Sequence, residues 1–128
     1  MGAWGYHFDE CDGALDFLGD AADSRDWGLV RDQLEHFIEA GGYEDGEEAW
    51  AAAELVAAAL GQPSSRLDPE LRDWAAEHGP QAEAIRGKAN EAVELLRQQS
   101  ELSELWAESD EGQEWQTAVA ELQSRLKA

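Results

Sequence analysis

Within the first twenty residues stand a histidine, a cysteine and a run of carboxylates: His7, Asp9, Glu10, Cys11, Asp12, Asp16 and Asp20. Imidazole, thiol and carboxylate at this density are the side chains that hold a divalent metal, and a carboxylate cluster can also grip a substrate. The spacing argues against the metal. A calcium loop needs oxygen ligands at alternate positions followed by a glycine, and Cys11 interrupts that order. With Cys11 as the single cysteine, neither an internal disulfide nor a thiolate zinc site can be built within one chain. The flanking acids hold a thiol protonated, which disfavours Cys11 as a nucleophile. His36 and His78 lie far from His7, and no histidine has a second one at helical spacing. HExxH, GxSxG, P-loop and GxGxxG patterns are all missing. Among 29 acids nothing marks out the two carboxylates of glycosidic chemistry. No catalytic residue, metal ligand or cofactor is assigned, and the reading leans away from an enzyme.

A structural role suits the same stretch better. The chain opens Gly2-Ala3-Trp4-Gly5. Burying an indole such as Trp4 contributes about 2–3 kcal/mol from area alone. A buried backbone then needs acceptors, and Asp12 and Asp16 are close enough in sequence to supply them. Trp4, Gly5, Asp12 and Asp16 are therefore expected to form a plug on the core. Asp12, Asp16 and Asp20 share one helical face, where like charges repel by a few tenths of a kcal/mol per pair, so something must compensate.

The elements that would carry these residues are helical throughout. A first helix starts at Asp12, turning Ala14, Leu15 and Leu18 inward, and weakens at Gly19. A second covers 24–40 with Ser24 as its cap. Trp27, Val30, Leu34, Phe37 and Ile38 lie on one face, and Gly41-Gly42 stops it. Asp45 caps a third helix, with Glu48 completing a capping box. Its body, AWAAAELVAAAL, has Glu54 as its one polar residue, and a helix apolar all round is central to its domain. Gly61–Ser65 is the clearest loop. Asp68-Pro69 starts a fourth helix, ending at Gly79-Pro80. From Pro80 to Glu108 the pattern is nearly continuous, with bends at Gly87 and Ser100. A last helix over 110–127 aligns Trp115, Val119, Leu122 and Leu126. The expected fold is a compact, single-domain all-α bundle of five or six helices over 1–128, with the Gly-Trp-Gly start packed on its core.

Tryptophans at 4, 27, 50, 74, 106 and 115 give every segment a stake in that core. The surface is one-sided: 29 acids against 9 bases leave a formal charge of −20. Residues 1–24 hold no lysine or arginine, and neither do residues 98–124. Such a field repels phosphates and anionic lipid, so nucleic acid and membrane are not expected partners. Met1 is not followed by a secretory leader pattern, and no apolar run reaches the ~20 residues of a membrane span. A cytoplasmic location follows as the expectation.

The start MGAWG with ALDFLGD, the block AAAELVAAALGQP, the block SELSELWAESDE and the closing Trp115, Val119, Leu122 and Arg125-Leu126 together resemble the bacterial family called domain of unknown function 4259. The resemblance runs in order along the whole chain. It implies a small soluble all-α domain and brings no activity, substrate or ligand. The family's usual Asn-Asp before the first helix is Cys11-Asp12 here.

Three classes of function are compatible with these residues. The first is an acidic interaction module that binds a basic protein partner, as immunity proteins and regulators do. The second is a small enzyme or metal-binding protein using His7–Asp16. The third is a structural or homo-oligomeric helical domain. Charge, size and the missing catalytic motifs favour the first.

Overall fold

A computed structural model describes residues 5–24 and 27–128. A 3-10 turn, Phe8–Glu10, leads into α1 (Asp12–Ala22), α2 (Gly28–Glu39), α3 (Gly46–Ala59), α4 (Pro69–Ala76), α5 (Gly79–Gln98), α6 (Glu101–Ala107) and α7 (Gly112–Lys127). The described residues contain no β-strand, and the all-α expectation holds.

Helix α3 is the axis. Ala49 through Ala58 are all buried, and α1, α2, α4, α5 and α7 pack around it. Small side chains make this geometry available, because an alanine surface lets several helices approach one axis closely. On that frame an aromatic chain runs through the core. Phe8 meets Trp50 edge-on at 6.4 Å, Trp50 meets Trp115 at 6.1 Å, and Trp115 stacks with Trp106 at 6.5 Å. Trp27 is buried and Trp74 half-buried, and the two rings lie 5.1 Å apart. The Trp74 indole donates to the Ser24 carbonyl at 2.9 Å.

Several boundaries differ from the sequence reading. α1 buries Ala14, Phe17, Leu18 and Ala21, a clean i, i+3, i+4, i+7 stripe, and this turns Leu15 outward. α2 begins at Gly28 rather than at 24. Asp45 does occupy the N-cap of α3, yet its side chain makes no cap. With φ +58 it closes a tight α2–α3 connection that also uses Gly41 at +67 and Gly42 at +92. A left-handed turn of this kind is open to glycine and tolerated by aspartate. α4 ends at Ala76, and Gly79-Pro80 opens α5, because a proline in the first turn lacks only an N–H that would be unpaired anyway.

The run expected from Pro80 to Glu108 is cut at Ser100. There the Ser100 hydroxyl accepts from the Ser103 N–H at 3.0 Å and donates to the Leu96 carbonyl at 2.6 Å. The Ser103 hydroxyl in turn accepts from the Ser100 N–H at 2.9 Å. This reciprocal cap ends one helix and starts the next within a buried corner. No helix of the described residues is long and apolar enough to cross a membrane.

Candidate functional site

Glu54 is the lone acid of the central helix. It is 2% exposed, so its charge must be met from inside the protein. α7 supplies the partner: Arg125 Nη2 lies 3.0 Å from Glu54 Oε2. The same guanidinium reaches Glu121 at 2.7 Å and the Gln62 carbonyl at 3.0 Å, tying α7 to α3 and to the loop after it. Burial raises the Glu54 pKa to about 7 against the opposing pull of Arg125. Burial also works against the charge on Arg125, but the carboxylates of Glu54 and Glu121 outweigh it and hold the guanidinium protonated. The asymmetry has a simple origin: Glu54 has one cation and no water, whereas Arg125 has two carboxylates and an edge in solvent. Glu54 Oε1 is shut from solvent and has no hydrogen-bond partner.

This pair lies in a cleft of about 470 Å³. The N-terminal segment contributes Tyr6, His7 and Phe8, α3 contributes Trp50 and Glu54, the loop gives Ser64, Ser65 and Arg66, and the rest comes from α7. Arg66 on the rim is held by Asp9 at 2.6 Å and faces Glu10 at 3.7 Å.

A second feature gathers at the other acids. The N-terminal ends of α1, α3 and α6 converge. The Gly13 N–H donates to Glu47 Oε1 at 3.0 Å, joining α1 to α3. The Glu101 N–H donates to the Gly42 carbonyl at 3.0 Å, and Gly46 packs on Leu102, joining α6 to the same place. Asp12, Asp16, Glu44, Asp45, Glu101 and Glu104 are exposed around this junction. Each helix presents its positive dipole end there, which offsets the mutual repulsion of the carboxylates. Tyr43, 47% exposed, donates to Glu104 at 3.1 Å. Acids from both stretches without lysine or arginine, Asp12 and Asp16 from one and Glu101 and Glu104 from the other, thus flank the N-terminal end of α3, a juxtaposition invisible in the linear order. His36 faces this group, 3.4 Å from Asp45 and 3.6 Å from Glu44.

The residues singled out from the sequence separate. His7 enters the cleft wall, whereas Asp12 and Asp16 belong to the acidic end. Trp4 lies outside the described residues, and so does any bond it makes. Gly5 is buried, and a Cβ there would overlap the Glu10 carboxylate. Glu10 also accepts from the His7 N–H at 3.3 Å. In the described part of the N-terminal segment, therefore, the carboxylate that holds the backbone is Glu10. Cys11 is buried, and burial, then Glu47, Glu10, Asp9 and Asp12, push its thiol up to about 12. Among the described residues no three His, Cys, Asp or Glu side chains are grouped to hold a metal ion.

Sequence reasoning passed over Glu54 and Arg125 as a site. The signal was present, since one acid inside AWAAAELVAAAL cannot reach water on any face. Its partner, 71 positions away, could not be read from spacing.

The family model described as a domain of unknown function, DUF4259, matches residues 2–118. No curated protein and no solved structure matches the chain.

Proposed function

Because this chain belongs to the DUF4259 family, which is defined without an activity, we propose its role from charge and geometry: an acidic docking module for a basic protein. The observation that carries this reading is the convergence of the two base-free stretches on the N-terminal end of α3. A carboxylate field around an exposed tyrosine offers both terms of recognition. The charges steer a cationic partner, and the ring gives an apolar contact of the kind enriched at interface centres. Leu105, 40% exposed on the adjoining α6, extends that contact. The same charge disfavours nucleic acid and anionic membranes. The reading sets the protein in the cytoplasm, where an unpaired thiol such as Cys11 stays reduced.

The test is capture of partners from the source cell on the immobilised chain, followed by association kinetics at several salt concentrations. The field reaches only about 8 Å at physiological ionic strength. The captured protein should be basic, its association rate should fall steeply with salt, and its dissociation rate should change less. Asp16→Lys with Glu101→Lys, one reversal from each stretch, should slow association without altering the fold. An acidic partner, or an association rate indifferent to salt and to both reversals, would rule the reading out.

A further inference from the structure

The cleft between the N-terminal segment, α3 and α7 plays no part in the docking surface, yet it has the features of a built site. Its volume of about 470 Å³ is that of pockets for small organic molecules. Its walls include the rings of Tyr6, Phe8 and Trp50. In its lining stands a carboxylate with half of its hydrogen-bonding capacity unused. Glu54 Oε2 is engaged by Arg125, while the buried Oε1 has no donor. Leaving such an oxygen unmet is costly, so its presence beside a cleft calls for a physical account, and an occupant that donates to it is one. Trp50, one turn before Glu54 on the same face, also has its indole N–H buried without a partner.

The charge of the cleft selects the ligand. Glu54, Glu114 and Glu121 line it with Arg125 and Arg66. Arg125 is shared between Glu54 and Glu121, and Arg66 is committed to Asp9 and Glu10. Both guanidiniums already face carboxylates, and Glu114 adds a further negative charge. Aromatic faces beside carboxylates suit a positively charged nitrogen on an apolar body.

We propose that this cleft binds a small organic cation, an ammonium or amidinium carried on an aromatic or aliphatic body. Its N–H group is directed to the Glu54 carboxylate, a rotation of that side chain turning the now covered Oε1 toward the cleft, and its apolar part lies against the half-buried Tyr6, with Phe8 and Trp50 behind it. The occupant and the surface both differ from those of the docking reading, and either one can fail alone.

The test uses the whole chain and defined probes. Phenethylamine and benzamidine are the cations, 2-phenylethanol is the neutral isostere and phenylacetate the anion, each titrated by calorimetry at pH 8. The cations should saturate one site and raise the melting temperature, with the neutral and anionic probes roughly tenfold weaker or worse. Glu54→Gln should weaken the cations by a similar factor. Since that change also touches the Arg125 pair, Thr117→Trp, at an exposed position of the lining, fills the cleft from its mouth. It should abolish binding with the helical spectrum unchanged. No heat of binding from either cation up to about 10 mM, equal affinity for 2-phenylethanol, or full affinity in Thr117→Trp would each overturn the proposal.

Discussion

Glu54 should make the protein lose stability as pH rises through neutrality, and Glu54→Gln should remove that loss. In the folded chain burial raises its pKa from 4.5 to about 7; in the unfolded chain it returns to the ordinary carboxylate value. Below pH 4.5 both states hold the proton and the group is silent. Between 4.5 and 7 the unfolded state gives up its proton while the folded state keeps it, so each pH unit favours unfolding. Above 7 both are ionised and the loss is complete. A rise from 4.5 to about 7 corresponds to roughly 3 kcal/mol. The other carboxylates titrate in the same range, so the informative quantity is the stability of the wild type minus that of Glu54→Gln. Urea melts at pH 4.5, 5.5, 6.5 and 8 give it directly, with the shared background cancelling. The difference should fall by about 3 kcal/mol from the lowest to the highest pH. A difference that stays flat, or one that rises with pH, would mean that Arg125 outweighs the effect of burial and keeps Glu54 ionised throughout. The upward push of burial on Glu54 would then be refuted, while the carboxylate charge that a cation needs would be present at every pH.

Three further outcomes follow from the packing. Trp115→Ala, at a fully buried position, should destabilise by about 3–5 kcal/mol in the same urea assay. Gly42→Ala combines a φ of +92 with a Cβ that would overlap the Gln99 carbonyl, so it should lower stability by about 1–3 kcal/mol or more, whereas Gly87→Ala, with open space around its Cβ in the interior of α5, should stabilise slightly. Cys11, buried with its thiol near 12, should be inert to a disulfide reagent at pH 8 and react fully once urea unfolds the chain; rapid labelling of the native protein would contradict its burial.

The periodic elements were legible. Trp115, Val119, Leu122 and Leu126 are all fully buried as one stripe, and AWAAAELVAAAL is the centre it promised to be. Local sequence failed where the outcome was decided elsewhere. Leu15 and Phe17 both fit an apolar face, and only packing of α1 on α3 chose Phe17. The break at Ser100 depends on a hydroxyl exchange with Ser103 that competes with a strong helical pattern. The acidic end is the clearest case, because α1, α3 and α6 are brought together by tertiary contacts between Gly13 and Glu47 and between Gly42 and Glu101. The roles expected of Asp12 and Asp16 as acceptors for the backbone of Gly2-Ala3-Trp4-Gly5 concern a stretch of which only Gly5 is described. The cleft was half legible, with its acid visible as an oddity and its counter-charge distant.

Helix α3 carries residues of both proposed surfaces, Glu47 at its N-terminal end and Glu54 two turns further on. It is also the element that all the larger helices cover. Its amide protons can therefore meet deuterium only when the bundle opens as a whole, and they report the global free energy of unfolding. A ligand in the cleft and a protein on the acidic end would each slow exchange of the same amides, through mass action on one cooperative unit. The two surfaces need no conformational change to communicate: whatever holds one raises the population in which the other exists.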